Sequence, residues 1–213
     1  GRRFVRPTGA LELMVDLGSA GPGVHMLGGG NPARIPEVEA VYRRRLGEIA
    51  GDAAQFGRFA ASYSAPGGDV RFRAAVAEFL AARYGWPLTE RNVALTSGSQ
   101  SAFFTLFNLL AGESETGRQR RILLPLAPEY IGYADVALAD GSLVAQAAAI
   151  EELPDGFFKY HVRFDGLEAV HDVAAICISR PTNPSGNVLT LDELRRLDAP
   201  ARKDLILHSL AVA

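Results

Sequence analysis

Residues 93–110 read VALTSGSQSAFFTLFNLL, and the fold turns on this stretch. Val93-Ala94-Leu95-Thr96 is short, apolar and bounded by turn residues, the signature of a buried strand. Ser97-Gly98-Ser99-Gln100 supplies a glycine for a sharp turn, with hydroxyls and an amide beside it. Ser101–Leu110 then continues as a helix that is apolar nearly all round, through Phe103, Phe104, Leu106, Phe107, Leu109 and Leu110. Such a helix is expected to be buried on most sides.

The same alternation of strand and helix recurs on either side. Residues 1–35 read as an irregular arm rich in Gly and Pro, followed by a helix from about Glu37 to Ala50. Tyr63-Ser64-Ala65-Pro66-Gly67-Gly68 is a turn, and Asp69 can cap a helix whose apolar positions are Phe72, Val76, Phe79 and Leu80. Further on, Ile122–Leu124 and Val173–Ile178 are apolar strands, with Ser142–Ala147 a weaker candidate. Thr190-Leu191-Asp192-Glu193 is a capping box opening a helix with Leu191, Leu194 and Leu197 on one face. Strands alternating with helices predict a three-layer α/β fold around a mainly parallel, doubly wound sheet. Sites in that architecture lie beyond the carboxyl ends of the strands.

Three loops fall at such positions. The turn Thr96–Gln100 opens a helix, where unpaired N–H groups and the helix dipole favour an anion such as phosphate. It also reads as a plain strand-to-helix turn with a serine cap. Pro125-Leu126-Ala127-Pro128-Glu129-Tyr130-Ile131-Gly132-Tyr133 follows a strand, and its prolines fix the angle at which Tyr130 emerges. A rigid aromatic there can stack on a planar ring or simply finish the core edge. Ser179-Arg180-Pro181-Thr182-Asn183-Pro184-Ser185-Gly186-Asn187 ends a strand with an amide held between prolines. Its Asn183–Pro184 bond is a candidate cis peptide. Together the three loops offer a phosphate cradle, an aromatic platform and an amide, which describes a pocket for a phosphorylated aromatic cofactor.

These segments resemble the pyridoxal-phosphate (PLP) enzymes of fold type I, the aspartate aminotransferase superfamily. The likeness extends through LGGGNPARIPE, TSGSQSAFFTLFNLLAG, PLAPEYIGYAD and SRPTNPSGNV, from about Phe4 to Ala199, and is most specific to valine–pyruvate aminotransferases. The resemblance implies PLP as cofactor, with Gly98, Ser99 and Gln100 holding its phosphate and Tyr130 stacked on its ring. It further implies that Asn183 hydrogen-bonds the ring's phenolic oxygen and that Tyr63 reaches the phosphate of a neighbouring subunit in a homodimer. Gly29 and Gly30 match the loop over the substrate carboxylate. The implied reaction is amino transfer between a small aliphatic amino acid and a 2-keto acid. The implied domains are an N-terminal arm with the start of a small domain over residues 1–50, then the PLP-binding large domain over 51–213. A non-catalytic domain that senses a ligand within a regulator is the alternative.

The family's Schiff-base lysine has no match. Of 22 basic residues only Lys159 and Lys203 are lysines. Lys159 precedes the asparagine loop and is expected to be solvated, while Lys203 is expected to close a helix. The chain is therefore expected to be an inactive N-terminal fragment, its last residues diverging from an anticipated apolar strand as a truncated or frameshifted reading frame would. Composition adds exclusions. Of the 213 residues 48% are hydrophobic, and the net charge of −2 argues against nucleic-acid and anionic-membrane binding. One cysteine precludes an internal disulfide, His25, His161, His171 and His208 show no metal spacing, and no apolar run is long enough to span a membrane. A cytoplasmic location is expected.

Overall fold

The computed structural model describes residues 33–198 and the strand 205–209, with positions 15, 21 and 23 in isolation. The chain divides into two compact units, residues 25–97 and residues 98–213 together with 1–24.

The first unit is helical over its described residues. Helix α1 spans Pro36–Gly51, with proline at its start and Glu37 and Glu39 in its first turn, where a proline ring costs no hydrogen bond and negative charge suits the dipole. Asp52 caps α2 (Ala53–Ala61) by accepting from the Ala54 and Gln55 N–H groups at 2.9 and 3.0 Å. Asp69 caps α3 (Val70–Tyr84) as expected, accepting from Arg71 and Phe72 N–H, and Gly85 ends it in the left-handed region. The inward stripe of α3 is displaced from the one expected. Phe72 and Phe79 are exposed, and Arg73, Val76, Ala77, Leu80 and Ala81 turn inward. Arg73 goes inside because its guanidinium finds carbonyls there, Val93 O at 2.7 Å and Glu90 O at 2.6 Å. Residues 93–96 begin extended at Val93 but join no strand ladder among the described residues. Their backbone is held instead by the Leu95 N–H donating to Gly67 O at 3.0 Å, since an apolar run becomes a strand only where a neighbour aligns with it.

The second unit is the predicted sheet. Helix α4 covers Ser99–Leu110 and is followed by β1 (Gly112–Glu113), β2 (Gln119–Ala127), β3 (Leu143–Ala147), β4 (Ala149–Glu152), β5 (Phe158–His161), β6 (Val173–Ser179), α5 (Leu191–Leu197) and β7 (Leu205–Ser209). Strand β2 is central, parallel to β3 and to β6, and β6 is parallel to β7. Two-residue β1 pairs antiparallel with the start of β2, and β4–β5 form a separate hairpin.

Side-chain alternation along the strands sends Ile122, Leu124, Ala175 and Cys177 to one face, where Phe103 and Phe107 of α4 pack together with Tyr133, Val136 and Ala137. Leu123, Leu126, Ile176 and Ile178 line the other face against Val162, Leu167, Leu189 and Leu197. This is a three-layer core, and each fully buried side chain such as Phe107 or Ile122 contributes about 1.5–3 kcal/mol. Leu123 and Leu126 share a face although they are three apart. The register with β3 slips between Leu124 and Ala127, around Pro125, which has no N–H to give to a ladder. Pro125 therefore belongs to the strand and not, as expected, to the loop after it.

Two helix faces differ from expectation. Only Phe103 and Phe107 of α4 are buried, and Phe104 and Leu109 are exposed on its far side, because a single sheet face covers a single helix face. In α5 the inward residues are Glu193, Leu194 and Leu197, whereas Leu191 is exposed. The Thr190–Glu193 capping box forms and draws Glu193 inward.

Candidate functional site

The three loops singled out in the sequence belong to α4, β2 and β6, and from Gly98 onward all lie in the second unit. Helix α4 begins at Gly98, whose φ of 84° and ψ of 166° form a conformation that essentially only glycine adopts. A Cβ there would meet nothing within 4 Å, so the backbone and not crowding demands the glycine. No side chain caps this helix, and Ser99 and Gln100 are exposed at its start. The arrangement suits an anion bound by N–H groups and a hydroxyl. Gln100 is already engaged on one side, its amide donating to Gly132 O at 2.9 Å.

Tyr130 leaves the end of β2 and begins a short helical turn, Ile131–Asp135. Its ring stands edge-on to Tyr133, with centroids 5.4 Å apart and planes at 86°. It also lies over Gly132, where any Cβ would come within 2.4 Å of the ring. Gly132 is thus a close-approach glycine that seats the aromatic. About a third of Tyr130 (36%) is exposed, which leaves ring surface for a planar partner.

Asn183 is exposed in the loop after β6. That loop is locked from within. Buried Thr182 donates its hydroxyl to Ser179 O at 3.0 Å and its N–H to Asn187 O at 2.8 Å, and Gly186 N–H returns to Thr182 O at 2.7 Å. Gly186 has a φ of 68°, which suits glycine. The Asn183–Pro184 peptide is cis, as the sequence suggested, and so are Arg180–Pro181 and Ala127–Pro128. Arg180 donates to Leu189 O at 3.0 Å, a bond that braces the loop.

Hydrogen bonds tie the loops to one another. Gln100 joins the α4 start to the Tyr130 turn. Glu129 accepts from Ser179 N–H at 2.9 Å and from Tyr130 N–H at 3.0 Å, and the Tyr133 and Ser179 hydroxyls meet at 2.8 Å in the interior. Burial pushes the half-buried Glu129 carboxyl up, and the hydrogen bonds from Ser179 and Tyr130 draw it only part of the way back. Cys177, fully buried behind it, has its thiol pushed up to about 12, first by burial and then by the charge of Glu129.

The remaining predicted residues lie elsewhere. Tyr63 is fully exposed in the first unit, where it borders a concavity of about 580 Å³ with Arg45, Arg58, Phe59 and Arg71. Gly29, Gly30, His25 and Lys203 fall outside the described residues. Lys159 is not simply solvated: its ammonium donates to Val188 O at 2.8 Å. No group of three or more metal-ligating side chains occurs among the described residues. No helix there is long and apolar enough to cross a membrane.

Sequence reasoning missed Glu129, Ser179 and the node around Glu193. Glu193 accepts from Thr190 N–H and hydroxyl at 2.8 Å, from Val162 N–H at 2.9 Å, and lies 3.2 Å from His161 Nδ1. The other ring nitrogen of His161 lies 2.7 Å from Glu151. A glutamate at a strand's end, between apolar neighbours, was the signal available for Glu129.

A helix that starts at a glycine, with a seated aromatic and an exposed amide at the ends of two parallel strands of a three-layer sheet, defines an α/β enzyme domain of the fold-type I kind. The chain belongs to the aminotransferase class I and II family, whose sequence pattern matches residues 36–209. It is 45% identical over 205 residues to the valine–pyruvate aminotransferase of Escherichia coli (strain K12), an alignment covering 95% of this chain and 49% of that protein. The solved valine–pyruvate aminotransferase of Salmonella typhimurium LT2 superposes with a TM-score of 0.75 at 42% identity, over 95% of this chain and 49% of that one. Aspartate aminotransferase of Thermotoga maritima shares the fold, with a TM-score of 0.68 at 19% identity over 98% of this chain and 53% of its own. The chain spans about half the length of the relatives it matches.

Proposed function

We propose that this chain carries the cofactor-holding loops of a PLP-dependent aminotransferase of the valine–pyruvate type. The observation that supports this most is the tying of the two loops at the carboxyl ends of β2 and β6 to each other and to the start of α4, through Gln100, Glu129 and Ser179. The donors suit the cofactor. An anion fits the uncapped α4 start, a planar ring fits the exposed part of Tyr130, and an oxygen fits the Asn183 amide. Bound PLP supplies a carbonyl carbon that takes up an amino group and a pyridine ring that acts as an electron sink.

The protein's own part is binding and orientation. Ser99, the N–H groups at the start of α4 and the remaining donor of Gln100 would hold the phosphate. Tyr130 would cover one face of the ring and keep water from it. Asn183 would donate to the ring oxygen. Tyr63 would serve a neighbouring subunit of a cytoplasmic homodimer, and the resemblance assigns Gly29 and Gly30 to the substrate carboxylate. The whole protein would pass an amino group from a small aliphatic amino acid to a 2-keto acid such as pyruvate. This chain on its own would bind PLP without turnover, since neither lysine lies in the three loops and Lys159 is held on Val188 O.

The test is equilibrium dialysis of the chain against PLP. Saturable one-site binding is expected, weakened about ten-fold in Tyr130→Ala and comparably in Ser99→Ala and Asn183→Ala. Borohydride treatment of the mixture should leave both lysines without stoichiometric modification. Non-saturable binding, or wild-type affinity in all three variants, would refute the assignment.

A further inference from the structure

We propose that Glu129 is a positioning residue, its carboxylate fixing the Tyr130 ring relative to the loop that carries Asn183. The inference rests on the PLP reading of the site and deepens it. One oxygen of Glu129 takes the N–H of Tyr130 at the end of β2, and the other takes the N–H of Ser179 at the end of β6. A single side chain thus spans the two strand ends from which the aromatic and the amide emerge.

The bond to Ser179 is needed for its own sake. Ser179 is 3% exposed, and a buried N–H without a partner costs about 1–3 kcal/mol. A nearby hydroxyl would satisfy it as well, so the acid calls for an explanation. Among the described residues no cation is paired with Glu129, and burial raises its carboxyl. A lone half-buried carboxylate is costly. What it gains is reach and strength: two charge-assisted hydrogen bonds, one to each strand end. Tyr133 completes the brace, its hydroxyl on Ser179 and its ring perpendicular to that of Tyr130. The ring of Tyr130 is therefore fixed from its backbone and from its side, and both supports reach Ser179.

The experiment combines a measurement without ligand and one with PLP. Hydrogen exchange at the Ser179 amide should quicken about ten-fold or more in Glu129→Ala, and near-UV circular dichroism should lose the part that Tyr130→Ala also removes. PLP affinity should fall about ten-fold in Glu129→Ala, and the Glu129→Ala/Tyr130→Ala pair should bind no more weakly than Tyr130→Ala alone. Glu129→Gln retains one acceptor oxygen and should fall between wild type and Glu129→Ala; it also serves if the alanine variant fails to fold. Unchanged Ser179 exchange, or affinity losses that multiply in the double variant, would overturn the proposal. If Tyr130→Ala leaves PLP affinity unaltered, the site reading fails, and the exchange and dichroism data still decide whether Glu129 fixes the ring.

Discussion

Gly98 concentrates much of what single residues contribute. Its dihedral angles exclude a side chain on the backbone alone, so Gly98→Ala should cost about 1–3 kcal/mol in urea denaturation and weaken PLP binding in the same preparation. Cys177 offers a contrasting check. A fully buried thiol with its pKa pushed up to about 12 should resist Ellman's reagent at about pH 8 while the chain is folded and titrate as one thiol in denaturant. Prompt reaction in the native state would show that the sheet face around Cys177 is not closed. At this scale the sequence was informative where chemistry shows in residue type and poor where it lies in contact. Tyr130, Asn183 and the glycine turn stood out by composition and order. Glu129 did not, because its role depends on Ser179, a residue 50 positions along the chain.

Elements repeat the lesson in geometric form. The strands around 122–124, 142–147 and 173–178, the helix over 101–110 and the capping box at 190–193 were legible, since each has a local signal in apolar runs or caps. Which helix face turns inward was not. Arg73 displaced the α3 stripe by bonding to carbonyls, and Glu193 took an inward place in α5 because His161 and Val162 approach it. Polar residues that bury themselves for a hydrogen bond defeat a pattern built on hydrophobicity. Glu193→Ala should accordingly destabilise the sheet unit by about 2–3 kcal/mol, as it removes a cap and leaves the Val162 N–H unpaired. Burial alone would raise the Glu193 pKa, but hydrogen bonds from Thr190, Val162 and His161 outweigh it and hold the carboxyl below the ordinary range. An acid depressed in the folded state binds fewer protons than in the unfolded one. Its stabilisation is thus present above the ordinary glutamate pKa of about 4.3 and lost as pH falls through the lowered value. Denaturation midpoints of wild type and Glu193→Gln should therefore differ most near neutrality and converge in acid.

For the whole molecule, the distribution of apolar surface governs behaviour. Val41, Tyr42, Leu46, Phe59, Phe72 and Phe79 are exposed in the helical unit, and Phe104 and Leu109 in the sheet unit. Surface of that kind associates. Light scattering of the purified chain should show mass rising with protein concentration, and a hydrophobic dye should fluoresce on binding it; a monodisperse monomer with a dark dye would contradict this. Family and three-layer class were readable from sequence because strand-end loops recur in order. The inward and outward halves of each helix required the partners they meet. Pro125 shows how far such dependence extends. By absorbing one residue in β2 it acts as a phase shift, so that an alternation counted from Ile122 reverses beyond Leu124. Remove the extra residue and simple alternation returns with Leu126 still on the face of Leu123; pair a strand of the same length without the slip and Leu126, with the residues after it, turns to the opposite face. The address of the aromatic platform is thus written in the parity of a strand as well as in the identity of its residues.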